Sequence, residues 1–483
     1  MPTSPRIQID TRPLWRLLLV RSQQPLLLLF GAALYFAVLE APTPTGLSWT
    51  GQKAMAVFAL CVFFWVFDVL PLMVTSVLAI ILIPLSGVMP TSQAYALFGN
   101  EAVFFILGAF ILAACLMRSG LSTRIAIGIL QRFGKTPRTL LVTVLLLNAL
   151  MSFFMSEHAV AAMNFPIIIE IAAVLKLSPK RSQFGKALFL AMAWGTTIGG
   201  VATLLGGGRG PLALGMLKEA TGQSFGFLEW SLAILPLVGG LLLLCYVLLR
   251  FFFKLDITDV RQADEVLRQK RLALGRMRFQ ERAIATVMVL TLVGWMVLGE
   301  EFGLANIALG GVVALFVLGL VSWRDVEGYV NWGVILMYGG AICLGAAINK
   351  SGAAAWIAEV TISRWASEGF EVILILSFLG IVMTEAMSNS AVVALLMPVS
   401  LGIATQFHMD PRVMALAVAV PAGLGYTLPI GTPANAIAYS SGHLSIRDMV
   451  VPGLVLSVSS WLFFNAVANW YWPWLGLSIH GVR

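Results

Sequence analysis

Two short polar clusters sit inside otherwise apolar sequence and hold the side chains that could do chemistry. The first is Met155-Ser156-Glu157-His158, joined 52 residues beyond Glu157 by Arg209 in the run Gly206-Gly207-Gly208-Arg209-Gly210-Pro211. The second is Ser388-Asn389-Ser390, with Thr384 just before it and Pro429-Ile430-Gly431-Thr432-Pro433-Ala434-Asn435 after it. A guanidinium beside a carboxylate and an imidazole can hold a small anion, because arginine's planar fork fits a carboxylate, sulfate or phosphate. The same Glu157-His158 pair could pass protons, since histidine titrates near neutral pH. The second cluster offers hydroxyl, amide and backbone oxygens, the neutral hard donors that suit a monovalent cation.

Catalysis is poorly supported by comparison. Gly222-Gln223-Ser224-Phe225-Gly226 spells a nucleophile elbow but lacks the strand and helix that such an elbow needs. The glycines at 206–210 are not followed by Gly-Lys-Ser/Thr, and Glu157-His158 has no second histidine four residues on. Cys61, Cys115, Cys245 and Cys343 lie in apolar runs without a CxxC pair, as packing residues do. No enzyme activity and no resident cofactor are expected.

The elements that must position these clusters are membrane helices. Of 483 residues, 59% are apolar and 11% charged, where soluble domains carry roughly 25% charged residues. The net charge of +8 is not a nucleic-acid footprint: 13 of the 31 basic residues fall within 6–21 and 250–282, the pattern of basic loops held on the cytosolic side.

Apolar segments of crossing length lie at 24–41, 52–70, 71–88 and 102–118. Residues 139–175 form two apolar limbs meeting at the Ser156 tip, with basic loops at both ends. A hairpin entering and leaving from the cytosol satisfies that charge pattern. A helix broken at 206–211 spans 187–217, because glycine and proline cannot continue it. A span at 230–251 leads to a basic cytosolic linker, 252–282. The second half, 283–470, repeats the plan with spans at 283–299, 303–321 and 331–348, an outward hairpin at 372–405, a broken helix at 413–440 and a last span at 450–470. The expected fold is an all-α membrane protein with eleven transmembrane helices and two opposed re-entrant hairpins. Residues 1–23 form a cytosolic N-terminal segment, and the tail 471–483 lies outside.

The halves are related in sequence. Leu107-Gly108-Ala109 through Ser119-Gly120 matches Gly339-Gly340-Ala341 through Ser351-Gly352 at an offset of 232, and Met155-Ser156, Ala159 and Pro166 match Met387-Ser388, Ala391 and Pro398 at the same offset. Gly206 aligns with Gly431 at 225. Inverted repeats with interrupted helices are the sequence mark of secondary transporters, whose half-helix ends and unwound carbonyls hold anions and cations near the bilayer midplane.

At Leu70-Pro71-Leu72-Met73-Val74-Thr75, Asn331-Trp332-Gly333, Ser388-Asn389-Ser390 and Leu428 through Ile437, the chain resembles the divalent anion/sodium symporter family, over about residues 50–470. The resemblance implies transport of a dicarboxylate, citrate or sulfate with sodium as coupling ion, and hairpin units that move as rigid bodies. It further implies a homodimer in a bacterial inner (plasma) membrane. Residue by residue it carries sodium binding to Thr384, Asn389, Gly431 and Asn435, and anion contact to Ser388, Asn389, Ser390 and Thr432.

The first repeat departs from that family. Ser152, Ser156 and Gly206 fall where a first sodium would be held. The family's Ser-Asn-Thr tip, however, reads Ser156-Glu157-His158, and its Pro-Pro-Asn break reads Gly208-Arg209-Gly210. Ionisable side chains at membrane depth cost about 2.5–3.5 kcal/mol on insertion scales, which makes them functional candidates. The expectation is that Arg209 replaces the first sodium, with Ser156, Glu157, His158 and Arg209 lining the anion site. The alternative is a proton-coupled carrier or an exchanger built on Glu157, His158 and Arg209. A passive anion channel is the outsider.

Overall fold

The computed structural model describes residues 14–361 and 369–479, with side chains described from residue 24. Among the described residues all regular structure is helical. Helix α1 (Leu14–Glu40) is followed by ten helices: α2 (Trp49–Val66), α3 (Leu72–Leu85), α4 (Thr91–Ala96), α5 (Glu101–Arg118), α6 (Leu121–Phe133), α7 (Pro137–Ser152), α8 (Glu157–Val174), α9 (Gln183–Gly199), α10 (Arg209–Thr221) and α11 (Phe227–Phe252). After α12 (Arg261–Leu274), ten more follow: α13 (Phe279–Phe302), α14 (Leu304–Val317), α15 (Trp323–Val326), α16 (Trp332–Lys350), α17 (Ala353–Thr361), α18 (Gly369–Thr384), α19 (Asn389–Gln406), α20 (Pro411–Ala419), α21 (Pro433–Ser440) and α22 (Ile446–Trp470).

Each helix from α2 to α11 therefore has its counterpart eleven places later, in α13 to α22. The local signals recur as well. Asn100 and Asn331 cap α5 and α16, Ser156 and Ser388 cap α8 and α19, and Pro166 and Pro398 lie inside those two helices. A side-chain oxygen at these positions satisfies an amide that the helix leaves without a partner.

Among the described residues eight helices are long and apolar enough to cross a bilayer, α8 and α19 included, and six further apolar helices are of 10–17 residues. Polar side chains tie the packed faces. Asn164 Nδ2 on α8 donates to Asn148 Oδ1 on α7 at 2.9 Å, and the Thr196 hydroxyl on α9 reaches the same oxygen at 3.4 Å. In the other half Asn465 Nδ2 on α22 donates to the Ser377 hydroxyl on α18 at 3.1 Å. Such bonds hold helices together where no water competes for them.

The structure differs from the sequence expectation in three helices. The first helix begins at Leu14, inside the segment expected to be a cytosolic lead-in, and carries Pro25 within it; residues 1–13 and 480–483 lie outside the described residues. Leu121–Phe133, read only as a basic loop, is a helix with one apolar stripe, burying Leu121, Ala126, Ile127 and Leu130. The linker also contains the helix α12, which buries Ala263 and Leu267. Lys270 of α12 pairs with Glu170 of α8 at 2.6 Å, and Asp264 with Lys135 at 2.6 Å. Its C-terminal carbonyls, Leu274 and Gly275, accept from Arg124 at 3.0 and 2.8 Å. The charge density that marks this stretch as a loop thus serves to fasten a short amphipathic helix.

Candidate functional site

Both polar tips are the connections between consecutive helices, 153–156 between α7 and α8 and 385–388 between α18 and α19. Each tip is stitched to an interruption in a later helix pair. In the first half, the Glu157 amide donates to Gly206 O at 2.9 Å, and the Thr203 hydroxyl donates to Phe153 O at 2.7 Å. In the second, the Thr384 hydroxyl lies 2.7 Å from Ala422 O. Gly206 and Ala422 belong to the stretches 200–208 and 420–432 that separate α9 from α10 and α20 from α21.

A charged pair lies at the centre. Arg209, the first residue of α10, is 3% exposed, and Glu157, the first of α8, is 6% exposed. Arg209 Nη1 donates to Glu157 Oε1 at 2.9 Å. That same carboxylate oxygen accepts from Asn389 Nδ2 of the second tip at 2.9 Å. Arg209 Nε also lies against the backbone of the second break: a Cβ on Gly423 would come within 2.1 Å of it. One buried guanidinium therefore touches elements of both halves. The charges meet, but Glu157 Oε2 and Arg209 Nη2 are buried without a hydrogen-bond partner among the described residues, which leaves an acceptor and a donor free at the centre.

From Asn389 the network continues into an oxygen cluster. Asn389 Oδ1 is 2.8 Å from Thr384 Oγ1, itself 2.7 Å from Ala422 O. A hydroxyl has one hydrogen, so it can donate to only one of these two oxygens. Asn435 donates through Nδ2 to Leu428 O at 3.1 Å and Gly425 O at 3.3 Å. Its Oδ1 is buried with no hydrogen-bond partner among the described residues. Thr432 accepts the Asn435 amide at 3.2 Å and so starts α21. A group of neutral oxygens with one buried acceptor unserved fits a hard monovalent cation taken as cargo.

The remaining predicted residues fall as follows. Ser156 and Ser388 use their hydroxyls as caps, accepting from Ala159 at 3.4 Å and Ala391 at 3.2 Å. Ser152 is fully buried, its hydroxyl without a partner among the described residues. Ser390 is half-buried, with Oγ 3.2 Å from where a Cβ on Gly208 would sit. Tyr338 OH approaches the same point to 2.7 Å. Gly431 is buried beside Glu385, whose Oε2 lies 2.8 Å from its Cβ position. His158 is the exception: it is exposed, and no hydrogen bond involves its side chain among the described residues.

Glu385 was missed in the sequence. Its carboxylate accepts three consecutive backbone amides of the second break, Tyr426 and Thr427 on Oε1 at 2.8 and 2.9 Å and Leu428 on Oε2 at 2.9 Å. It thereby holds the stretch whose carbonyls and Asn435 form the oxygen cluster. The available signal was an acidic residue four positions before Asn389 in an apolar run. Glu385→Ala strips an acceptor from three amides, each costing about 1–3 kcal/mol where water does not reach it. The unfolding temperature of the purified protein is expected to fall, by the equivalent of about 1 kcal/mol or more. Glu385→Gln, which keeps an amide oxygen for part of this work, should fall less.

Two tips and two breaks gathered on one buried charged centre, in a chain with bilayer-length helices, define a polytopic membrane transport protein. Comparison with known proteins makes this particular. The chain belongs to the sodium:sulfate symporter family, whose transmembrane region matches residues 23–478, so it is a membrane transporter and not an enzyme. It is 28% identical to the sodium-dependent dicarboxylate transporter SdcS of Staphylococcus saprophyticus over 90% of this chain and 88% of that protein. To the SdcS of Staphylococcus aureus it is 27% identical, over 94% and 92%. Among solved structures it is similar to the YdaH transporter of Alcanivorax borkumensis, with a TM-score of 0.55 at 16% identity over 80% of this chain and 88% of that one. It is also similar to MtrF of Neisseria gonorrhoeae, with a TM-score of 0.54 at 14% identity over 95% and 96%. These two likenesses speak to the fold alone.

Proposed function

We propose that the protein is a secondary active carrier of a small divalent anion, a dicarboxylate before sulfate, driven by sodium held at the second-repeat oxygen cluster. In this reading eleven spans and two opposed hairpins form a homodimeric, elevator-type carrier in the plasma membrane with a cytosolic N-terminus. Arg209 takes the place of a first sodium ion. The observation that carries the reading is the line of close polar contacts Arg209–Glu157–Asn389–Thr384–Ala422, which joins both tips to both breaks. A guanidinium partly balanced by Glu157, together with a cation bound at the second break, supplies the positive potential that a dianion needs beside the hydroxyl-bearing tips. The names of the staphylococcal relatives favour a dicarboxylate. His158, exposed and apart from the Glu157–Arg209 pair, gives the proton-coupled alternative no titrating partner at the centre.

The test is uptake of labelled succinate and labelled sulfate into proteoliposomes, with a sodium gradient, a proton gradient or internal substrate as the sole driving force. Sodium-driven succinate accumulation is expected. Accumulation driven by protons or by exchange alone would move the coupling away from the second-repeat cluster.

A further inference from the structure

We infer that the first-repeat pair Arg209–Glu157 acts as the orienting element of the second-repeat cation site, by deciding which end of the Asn389 amide faces the cage. This rests on reading the Thr384, Asn389, Ala422 and Asn435 oxygens as the coupling-ion site.

An asparagine side chain has a donating NH2 and an accepting oxygen at nearly equal reach. Asn389 is 7% exposed and stands between two very different neighbours. On one side is Glu157 Oε1 at 2.9 Å; on the other is Thr384 Oγ1 at 2.8 Å, with Ala422 O a further 2.7 Å from that hydroxyl. A carboxylate accepts and cannot donate, so the NH2 must face Glu157 and the carbonyl oxygen must face the cage. The second side alone would not choose. Thr384 Oγ1 could equally accept a hydrogen from NH2, and an amide turned that way would replace a cation ligand by a donor. Glu157 thus excludes the orientation that blocks sodium. Arg209 supports it by compensating the charge of a carboxylate with almost no access to water. Glu157 touches neither cation nor substrate in this role and is a positioning residue.

The experiment reads binding without transport. The purified full-length protein in detergent is titrated with sodium against a constant total of sodium plus choline, and the rise in unfolding temperature is followed. In the wild type a saturable, sodium-specific rise is expected. In Glu157→Gln, whose side chain can present either end to Asn389, half-saturation should move to sodium concentrations about tenfold higher, the size of one lost charge-assisted hydrogen bond. Glu157→Asp, which keeps the acceptor-only group, should stay nearer to the wild type. Glu157→Gln/Arg209→Gln removes both charges together and should show the same weakening, so the comparison survives if the single variant does not fold. Variants that fold and titrate like the wild type would overturn the inference while leaving the cation site standing. A wild type without any sodium-specific rise would overturn the site itself, and the inference with it.

Discussion

Arg209→Gln is expected to abolish anion uptake and to lower the unfolding temperature of the protein. Arg209 is 3% exposed and its Nη1 sits 2.9 Å from Glu157 Oε1. Removing the guanidinium leaves a buried carboxylate without its counter-charge, which costs about 3–5 kcal/mol where buried pairs have been broken one partner at a time. Stability alone would not identify a role in transport, so a second variant is needed. In Glu157→Gln/Arg209→Gln the two amides can hydrogen-bond each other, and most of the lost stability should return. Uptake should not, because the guanidinium proposed to meet the anion in place of a sodium ion is still missing. The checks are labelled uptake in proteoliposomes and thermal unfolding of the same preparations. A double variant that transports like the wild type would show that the pair only braces the first tip against its break.

Gly206→Ala is expected to have a comparable effect from a different cause. A Cβ at this position would lie 2.4 Å from Gly200 O, 2.6 Å from Gly200 Cα and 2.6 Å from Ser152 O. All three are backbone atoms, so no side chain can swing aside to make room. The Gly206 carbonyl also receives the Glu157 amide at 2.9 Å. A methyl group would push the break away from the tip and carry Glu157 off its register with Arg209 and Asn389. Overpacked interiors lose about 1–3 kcal/mol; here the displacement falls on the site itself, so uptake should drop by more than about tenfold, equivalent to 1.4 kcal/mol or more. Gly128→Ala is the control. It lies inside α6 with nothing within 4 Å of the new Cβ, where replacing glycine by alanine in a helix is expected to be neutral or mildly stabilising. Uptake and unfolding temperature measured side by side separate the two cases.

Much of this site is written in local sequence. The polar tips stand out because they interrupt apolar runs, and the glycine-rich stretch marks a helix break, although the interruption falls at 200–208 and not at 206–211: Pro211 sits in the first turn of α10, where its missing N–H costs nothing. What is absent from local sequence is direction. Glu157 and His158 are neighbours, yet successive residues on a helix point about 100° apart; one turns inward to Arg209 and the other outward, and only packing decides which. The bond from Glu157 to Asn389 spans 232 residues and depends on the two halves meeting face to face. Glu385 is hidden for a related reason. Its partners are backbone amides at 426–428, and no residue type advertises that an amide is waiting for an acceptor. Helices α6 and α12 are masked by their own charge, since basic residues at a membrane boundary look alike whether they belong to a loop or to a helix lying along it.

The pairing of Arg209 with Glu157 also bears on how a membrane voltage would act on the protein. Moving one elementary charge through 100 mV takes about 2.3 kcal/mol. A guanidinium and a carboxylate 2.9 Å apart sum to zero charge, so this pair, displaced as a unit, performs no net electrical work. In the proposed carrier, a lone arginine in its place would make each return of the empty unit sensitive to the resting potential. With the pair intact, the field is left to act on the cargo and on whatever other unbalanced charges travel with it.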